Sequence, residues 1–187
     1  MKKLALLASY NGSVLEPILE AISDKKLPLE VSLIISNNTN AAVLTKAKKY
    51  QIPHALINKQ TSKDPDSTLF EILKKEAIDI ILLAGYMKKV PPLLTENFFI
   101  LNSHPALLPN YGGKGMYGRY VHEAVIRNRE SKSGVTVHRV NEEYDSGALI
   151  LQKSCMVDKD ETVQTLEAKV KKLEKEAVVE ALELCLR

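Results

Sequence analysis

Leu4-Ala5-Leu6-Leu7-Ala8, followed by Ser9-Tyr10-Asn11-Gly12-Ser13, is the stretch that decides the fold. Five apolar residues lead without interruption into a short polar turn, and a helical pattern then occupies Ser13–Ser23. A strand that is buried on both faces has such a continuous apolar run, which is typical of parallel sheets. The spacing Ser13-x-x-Glu16 matches a capping box and predicts that the helix begins at Ser13. We interpret the segment as the first strand, loop and helix of an α/β protein.

The alternation of apolar runs and helical patterns continues along the chain. Further strands are predicted at Val31–Ile35, Ala55–Ile57, Ile80–Ala84 and Phe99–Leu101, with helices at Asn40–Tyr50, Ser67–Glu76 and Pro91–Asn97. Beyond them we predict a helix at Tyr120–Arg127, a strand pair at Gly134–Val140 and Ala148–Val157, and a long helix at Glu161–Leu186. Repeated strand–helix–strand units indicate a parallel sheet with right-handed crossovers. The predicted fold class is α/β: a single Rossmann-like domain over residues 1–187, with a mostly parallel twisted sheet flanked by helices.

The composition excludes several classes of protein. Of the 187 residues, 45% are hydrophobic and 26% are charged, which fits a soluble globular domain. The formal net charge of +3 is too small to indicate nucleic-acid binding, and no apolar run reaches the ~18 residues of a membrane span. The apolar part of the N-terminus is shorter than the ~7–15 residues of a signal-peptide core. We therefore expect a cytoplasmic protein with neither a nucleic-acid nor a membrane partner.

Candidate binding residues follow the predicted strands, because ligands of an open parallel sheet bind beyond the carboxyl ends of its strands. Asn11, Gly12 and Ser13 come between the first strand and a helix, whose N-terminus suits a phosphate group. An ordinary capped turn would give the same pattern. Lys88 and Lys89 follow the fourth strand, where they would meet an anionic ligand or stay solvated.

Polar residues of a more specific kind end the fifth predicted strand. Asn102 and His104 are two residues apart, so an extended chain places them on one face. An amide donor beside an imidazole can stabilise an oxyanion and move a proton, although a turn Asn and a structural His would look the same. Asp145, before Gly147, is either a turn residue or a carboxylate that a returning loop brings to His104. We expect His138 to lack such a partner.

These residues resemble one enzyme family. Asn102-x-His104-Pro105-x-Leu107-Leu108-Pro109, followed by Asp145-x-Gly147 after a Val-x-Val-His-x-Val strand, is similar to the pattern of the folate-dependent formyltransferases. The likeness extends over almost the whole chain and includes Asn11-Gly12-Ser13. It implies transfer of a formyl group from the co-substrate 10-formyltetrahydrofolate to the amine of glycinamide ribonucleotide, a step of purine synthesis.

The resemblance also implies roles for individual residues. Asn102 and His104 would donate to the oxyanion, and Asp145 would orient His104 and accept the amine's proton through water. The substrate would be bound by Asn11, Gly12, Ser13, Val14 and Glu174, the first four at its phosphate and Glu174 at its amino or ribose end. The folate pterin would be lined by Met87, Lys88, Lys89, Val90, Asn141, Glu142, Glu143 and Tyr144. Residues 1–100 would then form a phosphate-binding half and residues 101–187 a catalytic and folate-binding half.

Two further expectations follow from this reading. A carboxylate beside an imidazole raises the pKa of the imidazole, so we expect Asp145 to keep His104 cationic near neutral pH. No residue cluster offers a metal site, so we expect metal-free chemistry in a monomer or homodimer.

The sequence departs from the family pattern at three places. Tyr10 stands where the family usually has Gly, Val14 stands where it has Asn, and the stretch Tyr111–His122 is a few residues longer. Formyl transfer to a different amine such as an amino sugar nucleotide, hydrolysis of the formyl-folate, and a non-catalytic nucleotide-binding module are the alternative functions.

Overall fold

The computed structural model describes residues 1–187, which divide into two compact units, Met1–Leu101 and Asn102–Arg187. The first unit holds the strands β1 (Lys2–Leu7), β2 (Leu29–Ser36), β3 (His54–Leu56) and β4 (Ile80–Leu83), and the helices α1 (Leu15–Ser23), α2 (Ala42–Lys49), α3 (Pro65–Lys75) and α4 (Pro92–Thr95). Strand β5 (Phe99–His104) contains the boundary, and the second unit continues with α5 (Arg119–Arg127), β6 (Lys132–Arg139), β7 (Leu149–Met156) and α6 (Val163–Leu186). The seven strands form one sheet in the order β3-β2-β1-β4-β5-β6-β7.

Parallel pairing dominates the first unit. Strand β1 pairs in parallel with both β2 and β4, so that Leu4 lies opposite Val31 on one side and Ile80 on the other. Strand β3 continues the parallel sheet beside β2. The apolar residues of β1 from Leu4 to Leu7 are fully buried, as a strand covered on both faces must be. The predicted mostly parallel sheet is confirmed.

Helix α1 begins later than its sequence pattern predicts. Its N-cap is Val14 rather than Ser13, and no side chain caps it. Gly12 has a φ of +54°, and the Leu15 N–H donates to the Gly12 carbonyl at 3.0 Å, so a turn precedes the first helical residue. The predicted Ser13 capping box is therefore wrong. Its absence leaves the first N–H groups of α1 without a side-chain acceptor.

Antiparallel pairing and helix packing build the second unit. Strand β6 is buried along most of its length and pairs antiparallel with β7, with Val135 opposite Lys153. Gly134 is required there, because a Cβ at this position would lie 2.0 Å from the Lys153 carbonyl oxygen. Helix α6 packs Leu166 and Val170 against Val125 of α5 in one buried cluster. This confirms the predicted strand pair and long C-terminal helix.

The helices α1 to α6 range from 4 to 24 residues in length. None of them combines the length and the apolar character that a membrane span needs.

Candidate active site

Asn102 and His104 lie in the last three residues of β5, where the strand reaches its carboxyl end. The strand alternates its side chains between two faces, so these two residues share a face and Ser103 points to the other. His104 is 3% exposed. Its Nε2 lies 2.7 Å from the Tyr111 carbonyl oxygen, which can only accept, so Nε2 carries a proton and Nδ1 is directed to Asp145.

Asp145 is brought to this histidine by the connection between β6 and β7. Its Oδ2 lies 3.5 Å from His104 Nδ1 and accepts the Gly113 N–H at 3.0 Å. The connection can turn back because Gly147 has no side chain: a Cβ there would lie 1.7 Å from the Arg139 carbonyl oxygen. Asp145 itself has a φ of +55°, in the left-handed region that is uncommon for a residue with a side chain. The carboxylate, the imidazole and the end of β5 thus meet within the second unit.

The electrostatics of the pair differ from the sequence-based expectation. Burial lowers the pKa of His104 below its ordinary value and outweighs the opposing effects of the Asp145 carboxylate and the Tyr111 carbonyl. The expected rise of this pKa is wrong, because desolvation was not included. For Asp145, burial raises the pKa, but the neighbouring His138 ring, the charge of His104 and the Gly113 N–H together hold it below its ordinary value. Asp145 is therefore ionised at neutral pH, whereas His104 is mainly neutral.

His138 is a member of the cluster that the sequence analysis missed. It is buried on β6, its Nε2 lies 3.1 Å from Asn102 Nδ2 and 3.5 Å from Asp145 Oδ1, and its Nδ1 lies 3.0 Å from the Arg139 carbonyl oxygen. The expectation that His138 lacks a partner is therefore wrong. The signal was a histidine inside a predicted strand, but the adjacency of β6 and β5 cannot be seen in the sequence. A carboxamide nitrogen carries two N–H donors, and His138 engages one of those of Asn102.

The loop between β1 and α1 holds the residues predicted to bind phosphate. Gly12 is buried with positive φ, and a Cβ on it would lie 2.7 Å from Val43 Cγ2. Val14 is also buried and can offer only its backbone, whereas Asn11 is exposed. Tyr10 does not need the positive φ of a glycine: its carbonyl accepts the Val43 N–H at 3.0 Å and its ring is exposed.

Ser9 connects this loop to two neighbouring strand ends. Its buried hydroxyl donates to Asn37 Oδ1 at 2.6 Å and accepts the Met87 N–H at 2.7 Å. Its carbonyl accepts from Asn38 Nδ2 at 3.0 Å. The polar residues after β2 therefore hold the β1 loop in place.

The proposed folate-binding residues lie in two exposed turns of different units. In the first unit, Met87 is 44% exposed, Lys88 pairs with Asp66 at 3.6 Å, and Val90 is buried, so its side chain belongs to the core. In the second unit, the Asn141 carboxamide accepts the Glu143 N–H at 3.1 Å and the Ser146 hydroxyl at 3.0 Å, which orders the turn before Asp145. The remaining predicted residues of these turns, Lys89, Glu142 and Tyr144, stay predictions.

Glu174 occupies a half-buried position on α6. The Ser103 hydroxyl donates to its Oε1 at 2.5 Å. Burial raises the pKa of Glu174 above its ordinary value, and the Ser103 hydrogen bond offsets this only in part. Since Ser103 alternates with Asn102 and His104 along β5, Glu174 is held to the other face of that strand. It is therefore not part of the cluster around Asp145.

Comparisons with known proteins agree with this arrangement. The family model described as formyl transferase matches residues 2–182. A phosphoribosylglycinamide formyltransferase of Haemophilus influenzae is 37% identical over 179 residues, which are 93% of this chain and 82% of that protein. The chloroplastic phosphoribosylglycinamide formyltransferase of Arabidopsis thaliana is 38% identical over 187 residues, 97% of this chain and 64% of the relative. The crystal structure of glycinamide ribonucleotide transformylase 1 from Geobacillus kaustophilus superposes with a TM-score of 0.91 at 31% identity, covering 100% of both chains.

Fold and cluster together define an α/β enzyme with an amide, an imidazole and a carboxylate at the end of one sheet strand. The chain belongs to the formyl transferase family.

Proposed function

We propose that this protein transfers the formyl group of 10-formyltetrahydrofolate to the amine of glycinamide ribonucleotide. The observation that carries the proposal is that Asp145, from the connection between β6 and β7, lies 3.5 Å from His104 Nδ1. His104 belongs to the strand that also bears Asn102. Relatives named for that activity match nearly the whole chain. The co-substrate and the acceptor rest on those relatives, and the chemistry rests on the residues below.

In the proposed reaction, the neutral amine attacks the formyl carbon and a tetrahedral intermediate with an oxyanion forms. Asn102 supplies an N–H to this oxyanion, and His104 supplies its Nδ1 proton when it is protonated. Asp145, ionised and close to both histidines, accepts the proton that the amine loses, directly or through water. The oxyanion then collapses to the carbonyl of the new amide. The bond between the formyl carbon and the folate nitrogen breaks with its electron pair going to that nitrogen, which takes up the proton that Asp145 accepted. Removing one such oxyanion donor typically costs about 10²–10³ in rate.

Substrate binding is assigned to surfaces that suit each chemical group. The ribonucleotide phosphate binds the N–H groups of Gly12, Ser13 and Val14, where the uncapped end of α1 favours an anion. Glu174 accepts hydrogen bonds from the ribose end rather than from the reacting amine, because Ser103 holds it to the other face of β5. The pterin binds along Met87–Val90 and Asn141–Tyr144.

Steady-state assays with the purified protein test the proposal. The protein is mixed with 10-formyltetrahydrofolate and glycinamide ribonucleotide, and deformylation of the folate is followed by absorbance. We expect turnover that depends on the ribonucleotide and produces its formylated amide. Turnover without any amine would support the hydrolase instead. Turnover only with an amino sugar nucleotide would support a different acceptor, and absence of turnover with every amine would support a binding module.

A further inference from the structure

Tyr111 connects the catalytic histidine to the C-terminal end of α5. Its hydroxyl donates to Glu130 Oε1 at 2.6 Å and accepts from Asn128 Nδ2 at 3.0 Å. Its ring packs against the buried cluster of α5 and α6. Its backbone has a φ of +57°, which is uncommon for a residue with a side chain and costs about 1–2 kcal/mol. Anchoring of the phenol therefore holds the Tyr111 backbone in a conformation that it would otherwise avoid.

This conformation directs the Tyr111 carbonyl at His104. The carbonyl oxygen lies 2.7 Å from His104 Nε2, whereas His104 Nδ1 is 3.5 Å from Asp145. The first distance is a short hydrogen bond and the second leaves the contact loose. With Nε2 committed to the backbone, Nδ1 is the ring nitrogen that faces the reacting groups.

We propose that Tyr111 is a positioning residue, which selects Nδ1 of His104 for the reaction through the anchoring of its phenol by Glu130 and Asn128. The inference rests on the proposed function for its kinetic consequences. It also has a consequence that does not need turnover. A carbonyl acceptor on Nε2–H stabilises the imidazolium more than the neutral ring, so a loosened Tyr111 makes His104 harder to protonate.

Several titratable groups surround His104 and Tyr111 and influence their protonation. Asp145 favours protonation of His104, whereas His138 opposes it, and His122 of α5 interacts with His104 as well. Around Tyr111, Glu130 raises the pKa of the phenol and Arg127 lowers it, with burial as the largest cause of the net rise. The substitution Tyr111→Phe keeps all of these residues and removes only the hydroxyl that contacts Glu130 and Asn128.

The decisive experiment compares Tyr111→Phe with Tyr117→Phe, which removes the hydroxyl of an exposed tyrosine in the same stretch. The histidine ring signals are followed by NMR against pH, with His104→Gln used for assignment. In Tyr111→Phe, we expect the His104 titration midpoint to move to lower pH and kcat at neutral pH to fall about threefold to tenfold, the effect of one hydrogen bond. The KM values for both substrates should stay within a factor of about two, since Tyr111 binds neither.

A second pair of variants keeps the tyrosine and changes its anchor. Glu130→Ala should reproduce the shift of the His104 midpoint, and Glu130→Gln, which retains an acceptor oxygen, should restore most of it. An unchanged midpoint in both Tyr111→Phe and Glu130→Ala would overturn the inference, even if formyl transfer is active. A shifted midpoint in a protein without formyl transfer would leave the positioning role standing and overturn the proposed function.

Discussion

At Asp145, the proposed chemistry can be tested by replacing one carboxylate with a carboxamide. The carboxylate contacts His104 and His138 at 3.5 Å each and also accepts the Gly113 N–H. Asp145→Asn keeps an oxygen for Gly113 and removes the charge and the proton acceptor. We expect kcat to fall by at least about 10², the usual contribution of a general base. The measurement is steady-state turnover, together with the thermal midpoint, which should change little.

Asp160→Asn is the matched control for this substitution, because Asp160 is an exposed aspartate of the same unit outside the cluster. It should leave both turnover and thermal midpoint unchanged. Wild-type turnover in Asp145→Asn would remove this carboxylate from the mechanism.

Single residues differ in how far the sequence could predict them. Asn102 and His104 were found because strand alternation alone places them on one face. His138 and Tyr111 were missed, since one depends on which strands are neighbours and the other acts through a backbone carbonyl. The direction of the His104 pKa shift also needed the structure, because desolvation depends on how the whole unit packs around the ring.

Among the elements, the carboxyl ends of β1, β2 and β4 are connected by the Ser9 hydroxyl. Ser9→Ala would leave the Met87 N–H and the Asn37 carboxamide without this partner, at a cost of about 1–3 kcal/mol. Since the loops that Ser9 joins are those proposed to bind phosphate and pterin, we expect KM to rise about fivefold to tenfold for both substrates. The value of kcat at saturation should change less. Steady-state kinetics with each substrate varied in turn provides the measurement.

Ser32→Ala is a control of the same chemistry, because Ser32 is a buried serine of β2 whose hydroxyl has no hydrogen-bond partner. It should leave both KM values unchanged. Equal KM values in Ser9→Ala and the wild type would show that the loops keep their places without Ser9.

The elements themselves were largely predictable, and their ends were less so. Continuous apolar runs identify β1, β2 and β4 because burial on both faces demands them. The start of α1 was placed two residues early, at Ser13, since the capping-box spacing matched by coincidence while Gly12 formed a turn. Helix α6 shows the same motif in use: Thr162 and Thr165 cap it reciprocally. A motif therefore predicts a helix end only when the preceding backbone allows it.

At the scale of the whole molecule, buried titratable groups make the free energy of unfolding depend on pH. Burial lowers the pKa of both His104 and His122, and the Nδ1 of His122 is buried without a hydrogen-bond partner. In the unfolded chain these rings titrate near the ordinary value of 6.5. On acidification, the unfolded state protonates these rings at a higher pH than the folded state does. The free energy of unfolding therefore falls as the pH drops through the ordinary histidine pKa. Glu174 changes the free energy of unfolding in the opposite direction on acidification, because its raised pKa lets the folded state take up a proton first.

We therefore expect the free energy of unfolding to fall between about pH 7 and about pH 5, where histidines titrate and most carboxyls do not. His122→Gln removes one of the two histidines and should flatten this decline, while His54→Gln, at an exposed position, should leave it unchanged. Urea unfolding followed by circular dichroism at several pH values provides the measurement. Because burial lowers the pKa of His122, the unfolded state protonates this ring before the folded state does, so the His122→Gln variant should lose less stability on acidification than the wild type. An equal decline of the free energy of unfolding in the wild type and in His122→Gln would mean that His122 is protonated to the same extent in the folded and unfolded states.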